Sequence, residues 1–137
     1  NNKTRNNLMK IKYLIVVADY YKKISKDLLD SALRSLPKSS LIKIIKVPGV
    51  FEIPVTISKN IRKYDAFLAL GCVIKGQTPH FDFISTAVTN AIMKLSVESK
   101  KPIGNGVITC LNVSQAKARR KKGEEAVKAI ISVLTQK

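Results

Sequence analysis

The amino-acid sequence predicts an α/β domain in which a four-stranded parallel sheet carries helices on both faces. Three observations predict it. Four short apolar runs rich in β-branched residues recur along the chain, the pattern of strands buried on both sides. Segments with apolar residues at helical spacing separate them, and such alternation needs crossover connections and therefore parallel strands. The chain has 137 residues, which suits one domain with a real core.

Residues 1–10 are polar and are expected to form a flexible arm ahead of a single domain spanning 11–137. Ile11–Ala18 (IKYLIVVA) is the first strand. Tyr20–Leu36 sets Tyr21, Ile24, Leu28, Ala32 and Leu36 on one helical face, and Pro37 ends it. Ser40–Val47 is the second strand, and Pro48-Gly49 a turn. Phe51–Lys63 reads as a short helix, since Pro54 is tolerated only in a first turn. Tyr64–Val73 is the third strand, and Ile74–Pro79 a loop. Phe81–Val97 is the strongest helix, with Ile84, Ala87, Val88, Ala91, Ile92 and Leu95 sharing a face. Pro102–Cys110 is the fourth strand, interrupted by Gly104 and Gly106. A helix from Ser114 to Arg119 follows, capped by Asn112 or Ser114. Glu124–Leu134 continues or restarts it.

Composition bounds the function. Twenty-five Lys and Arg against nine Asp and Glu give a net charge of +16. A chain so basic raises the prospect of a nucleic-acid or membrane-surface partner. The cations, however, are spread over Lys10–Lys12, Lys22–Lys26, Lys43–Lys46, Lys59–Lys63 and Arg119–Lys122. No helix carries a basic stripe interleaved with aromatics, so neither partner is expected; the alternative reading of the charge is a general drift toward Lys, Ile and Asn, which the chain shows throughout. No apolar run is long enough to cross a bilayer, and Asn1–Lys10 does not read as a secretory signal. Cys72 and Cys110 sit in apolar contexts and read as buried thiols in a reducing compartment, the cytoplasm. One His, two Cys and no ligand spacing imply no metal site.

In an open parallel sheet, chemistry collects beyond the carboxyl ends of the strands. That singles out Asp19–Lys22, Pro48–Glu52, Cys72–His80 and Asn112–Arg119. Lys75-Gly-Gln-Thr-Pro-His80 opens the strongest helix. Gly76 allows close backbone approach, and the first amides of the helix favour an anion such as phosphate. Alone, such a stretch is an ordinary βα loop. His80, the sole histidine, stands at the helix entrance, where imidazolium is disfavoured and a neutral, proton-accepting imidazole is favoured. Arg119, followed by Arg120, Lys121 and Lys122, reads either as a solvated charge run or as a phosphate clamp. Glu52 either complements a helix dipole or accepts hydrogen bonds from a polyol.

Val47-Pro-Gly-Val-Phe-Glu-Ile-Pro54, Gly71-Cys-Val-Ile-Lys-Gly-Gln-Thr-Pro-His-Phe-Asp-Phe83, Gly106-Val-Ile-Thr109, Gln115-Ala-Lys-Ala-Arg119 and Lys122-Gly123 together resemble the lumazine synthase family. The resemblance spans about residues 11–135. It implies a flavodoxin-like three-layer α/β/α fold assembled into cyclic pentamers or multiples of them. It implies condensation of 5-amino-6-(D-ribitylamino)uracil with 3,4-dihydroxy-2-butanone 4-phosphate to 6,7-dimethyl-8-ribityllumazine, without cofactor or metal. By position, Tyr20 matches the aromatic that stacks on the pyrimidine. Val50, Phe51 and Glu52 match the ribityl-binding segment, and Cys72, Val73 and Ile74 the strand end facing the pyrimidine. Gly76, Gln77 and Thr78 match the phosphate loop, and His80 the proton-transfer residue. Arg119 matches the phosphate-binding arginine, and Lys122 a lysine that reaches the uracil carbonyl. Asn105 stands where many members carry an aromatic. One departure is plain: members usually have a Gly- and Lys-containing loop between the arginine and the Lys-Gly pair, near contacts between pentamers. Here only Arg120 and Lys121 intervene. A phosphate- or nucleotide-binding module of the same fold without catalysis is the alternative reading.

Overall fold

The structure is a computed structural model that describes residues 11–77 and 80–136; the expected arm, 1–10, lies outside them. Strands β1 (Lys12–Ala18), β2 (Leu41–Val47), β3 (Ala66–Ile74) and β4 (Ile103–Cys110) form one sheet in the order β2-β1-β3-β4, all parallel. The helices are α1 (Lys22–Ser35), α2 (Ile53–Lys59), α3 (Phe81–Ser99), α4 (Val113–Ala118) and α5 (Lys122–Leu134). This order is that of flavodoxin-like sheets, whose direction of winding reverses between β1 and β3.

The alternation of β1 decides the layers. Tyr13, Ile15 and Val17 point to one face and pack with α1 and α5 through Leu28, Ala32, Val127 and Ile130. Leu14, Val16 and Ala18 point to the other and pack with α2 and α3 through Ile53, Ile57, Val88 and Ile92. All nine residues of β3 are buried, because it has a strand on each edge and helices on each face. The outer strand β2 differs: Leu41, Ile42 and Ile44 remain exposed.

Several boundaries move from the sequence expectation for identifiable reasons. The segment after Gly49 is not one helix to Lys63. Val50–Glu52 makes a single 3₁₀ turn, then α2 runs to Lys59. The Asn60 side chain takes the Thr56 carbonyl at 2.8 Å and turns the chain out. β3 starts at Ala66, and Asp65 just before it is tied twice to Lys12: its amide donates to the Lys12 carbonyl and its carboxylate accepts the Lys12 amide, both at 2.9 Å. On α3, Val88 and Ile92 are buried, with Ile84 and Leu95 against the same cluster. Ala87 and Ala91 instead line a shallow apolar groove with Phe51, Pro54 and Val55. Asn112, not Ser114, caps α4: its side chain accepts the Gln115 amide at 2.8 Å.

The Lys122-Gly123 pair is fixed by packing. A Cβ on Gly123 would lie 2.2 Å from the Leu28 carbonyl oxygen and 2.9 Å from Ser31 Oγ. The buried Ser31 hydroxyl accepts the Glu124 amide at 2.9 Å, satisfying one free donor at the start of α5. Gly123→Ala should therefore force α5 off α1 and cost roughly 1–3 kcal/mol. Ser31→Ala should cost about 1 kcal/mol by stranding that amide. Urea denaturation of both variants measures this; an unchanged midpoint for Gly123→Ala would mean that the contact is not tight.

Candidate active site

The strand ends place the candidate residues on one rim, around two separate concavities. The first, of about 250 Å³, lies at the switch point between β1 and β3 and is lined by Tyr20, Val50, Cys72, Val73, Ile74 and Gln77. Tyr20 follows β1, Val50 opens the 3₁₀ turn after β2, and residues 72–74 end β3. The Tyr20 side chain is 71% exposed, and its ring stands edge-on to Tyr21 at 4.9 Å and 80°. An aromatic left this open at a crevice is available to stack on a planar ligand. Glu52 closes the 3₁₀ turn that Val50 opens, one carboxylate oxygen accepting the Gly49 amide at 3.0 Å. Phe51 turns away into the neighbouring apolar groove.

The loop after β3 turns tightly. Gln77 donates its amide to the Ile74 carbonyl at 3.1 Å, and Gly76 has φ of +85°, the conformation a type II turn needs at its third position. Thr78 lies outside the described residues. His80 is the N-cap residue of α3; its carbonyl accepts the Ile84 amide at 2.9 Å. The imidazole is exposed, with the Phe83 ring 6.4 Å away.

The second concavity, about 680 Å³, holds Asn105, Arg119 and Lys122 together with Thr89, Thr109 and Lys121. Arg119 follows α4 and reaches back to the end of β4, its Nη1 donating to the Thr109 carbonyl at 2.8 Å. The Asn105 side chain accepts the Val107 amide at 3.1 Å. Lys122 opens α5 and lies 3.4 Å from the Glu125 carboxylate. The short link from Arg119 to Lys122 is thus a plain turn between α4 and α5. Among the described residues the two concavities share no lining residue, so Arg119 and Tyr20 line separate spaces. Tyr21 and Thr89 also line them and were not named as site residues. Tyr21 lies in the singled-out Asp19–Lys22 segment but reads as part of the helical core pattern, and Thr89 falls mid-helix with no motif around it, so for Thr89 the sequence carries no signal.

Cys72 and Cys110 are free and buried. Burial, reinforced by the neighbouring Cys110, pushes the Cys72 thiol up to about 12. Burial also raises the Tyr21 phenol, with Cys72 and Tyr20 adding to it. Among the described residues, no group of three or more His, Cys, Asp or Glu could hold a metal ion, and no helix is long and apolar enough to cross a membrane.

Fold and rim together define the class: an α/β protein of the open parallel-sheet type, with an exposed aromatic at the switch point, a histidine at the entrance of α3 and an arginine pinned to the end of the last strand. Residues 10–137 match the family model for 6,7-dimethyl-8-ribityllumazine synthase. Proteins with that name are similar along most of their length. The one from Cutibacterium acnes is 40% identical over 134 residues, covering 91% of this chain and 81% of its own. The Bartonella bacilliformis protein is 44% identical over 117 residues, covering 82% and 77%. The Streptomyces coelicolor protein is 37% identical over 137 residues, covering 92% and 84%. The chain belongs to the 6,7-dimethyl-8-ribityllumazine synthase family, enzymes of riboflavin biosynthesis.

A thiol held at about 12 against an ordinary 9.0 carries about a thousandfold less thiolate at pH 8. Cys72 should therefore resist iodoacetamide in the folded protein and react once it is unfolded. The folded state keeps a proton there that the unfolded state loses above pH 9. The stabilisation is complete below pH 9 and is lost as pH climbs toward 12. Urea midpoints should fall from pH 8.5 to 11, and Cys72→Ala should flatten that slope. Rapid alkylation of Cys72 at pH 8 without unfolding would contradict the burial.

Proposed function

We propose that this protein condenses 5-amino-6-(D-ribitylamino)uracil with 3,4-dihydroxy-2-butanone 4-phosphate, releasing 6,7-dimethyl-8-ribityllumazine, inorganic phosphate and water. The observation that carries the reading is the gathering of Tyr20, Val50 and residues 72–74 at the switch-point crevice in a chain of this family. Tyr20 stacks on the pyrimidine, whose polar edge meets the backbone of Cys72, Val73 and Ile74. Val50, Phe51 and Glu52 receive the ribityl chain. Glu52 has one oxygen committed to Gly49, and its other oxygen accepts from a ribityl hydroxyl. Gly76, Gln77 and Thr78 present amides to the phosphate, which Arg119 clamps. Asn105 and Lys122 complete the uracil site.

The 5-amino nitrogen attacks the ketone and water leaves, giving an imine. Phosphate then departs with electrostatic help from Arg119 and the loop amides. The ribitylamino nitrogen closes the ring with loss of a second water. His80 shuttles protons in these steps. Holding two substrates in reactive geometry supplies much of the rate. Neither substrate nor product calls for a resident cofactor.

The site forms between subunits of a ring, at least a pentamer. A concavity of 250 Å³ is small for a ribityl-pyrimidine, since ligand sites run about 300–1,000 Å³. A neighbour's Asn105, Arg119 and Lys122 would supply the missing wall. Head-to-tail contacts of this kind are satisfied by ring closure. Exposed Phe51, Val55, Met93 and Val97 give the ring apolar surface to bury. Such an enzyme would work in the cytoplasm.

The assay is product absorbance with both substrates. His80→Ala should lower turnover by on the order of 10²-fold with the fold intact by circular dichroism; an unchanged rate removes His80 from the mechanism. Complementation tests the shared site. His80→Ala and Arg119→Ala chains, each impaired alone, should regain part of the lost activity at low substrate concentration when dissociated together and reassembled, because some interfaces pair two intact halves. Mixed rings no more active than the two variants alone would place each site within one chain, and a monomer by light scattering at micromolar concentration would sink the proposal.

A further inference from the structure

We infer that Gln115 is a positioning residue that sets Arg119 on the keto-phosphate, an assignment that rests on the phosphate-clamp reading of Arg119. The unit from β4 to α5 is where the geometry points. Helix α4 has six residues, too few to hold its own shape in water. Its start is tied by two bonds that both involve Gln115. The Gln115 side-chain carbonyl accepts the Leu111 amide at 2.7 Å, while the Gln115 amide donates to the Asn112 side chain at 2.8 Å. The arrangement is a variant of the capping box, with Asn112 as cap and Gln115 at the third position, in which the Gln115 side chain takes the amide of the residue before the cap, Leu111, and not that of Asn112 itself.

One turn further on, Arg119 closes α4 and reaches back across it. Its guanidinium donates to the Thr109 carbonyl at 2.8 Å and stands 4.0 Å from Cys110 Sγ. The box and the arginine therefore span the same strand end, residues 109–112, from opposite ends of one short helix. Ala116, fully buried between them, is the helix's one anchor in the core. Release of the box lets α4 pivot about Ala116, and the displacement is felt at Arg119. Gln115 itself stands outside the residues lining either concavity, so it acts through Arg119 and not on the substrate.

The experiment is a double-mutant cycle on the assembled enzyme with both substrates varied. Gln115→Leu keeps the size of the side chain and removes the acceptor. It should raise the KM for 3,4-dihydroxy-2-butanone 4-phosphate by about tenfold. The KM for the ribitylamino-uracil should stay within twofold. In the Arg119→Ala background, Gln115→Leu should change neither constant further, because the arginine it positions is gone. Asn112→Ala, which opens the other half of the box, should repeat the pattern and serves if Gln115→Leu does not fold. Equal rises in both KM values, no rise in either, or an independent further loss in the Arg119→Ala background overturns the positioning role. An Arg119→Ala enzyme with an unchanged keto-phosphate KM overturns the clamp reading as well.

Discussion

The burial of β3 on every side is the constraint on which the molecule depends. Nine consecutive residues, Ala66–Ile74, are out of water, with β1 and β4 on their edges and helices above and below. A strand held this way cannot slip its register without exposing one set of side chains or overfilling the other face. Its carboxyl end is therefore the most firmly placed point of the rim. The crevice residues Cys72, Val73 and Ile74 are that end. His80 caps α3, whose Val88 and Ile92 are seated in the core, so its backbone position is tied to that packing.

The rest of the rim is held by less. The 3₁₀ turn bearing Val50, Phe51 and Glu52 relies on Val50 being seated in the core and on the Glu52–Gly49 bond. The Arg119 corner relies on a six-residue helix, its cap and one guanidinium–carbonyl bond. Rigidity thus falls from the centre of the sheet to β4, which follows from burial: central backbone groups are dry and paired, while those at the corner are exposed and exchange with water.

Much of this was legible in the sequence, and the parts that were not share a cause. The strands, the layers and the helix over residues 81–99 follow from hydrophobic period, which reports burial directly. Tyr20, Glu52, His80 and Arg119 fall where strand ends put them. The break between the 3₁₀ turn and α2 was hidden because Pro54 is compatible with either. The double tie of Asp65 to Lys12 at the start of β3 was hidden because it joins residues 53 positions apart. Gly123 looked like one half of a motif, yet its reason is the Leu28 carbonyl on another helix. Long-range contacts of this kind leave no local pattern. Nor does the division of the rim into two concavities, since composition and spacing say nothing about which residues face the same space.

That division bears on how activity and assembly are linked. Within one chain, the β4–α4–α5 corner and the β1/β3 switch point open in separate concavities. If the two halves meet only across a subunit boundary, each active site needs two chains correctly docked, and an isolated chain has none. Residues far from substrate then gain leverage over catalysis. The apolar groove of Phe51, Val55 and Ala87 and the open edge of β2 would set the distance between half-sites as firmly as any ligand contact. The tight seat of Gly123 on α1 belongs with them, because it orients the corner that carries Arg119 relative to the sheet. Selection on such positions would preserve packing and chemistry together, since a ring that closes slightly out of place would bind one substrate and miss the other.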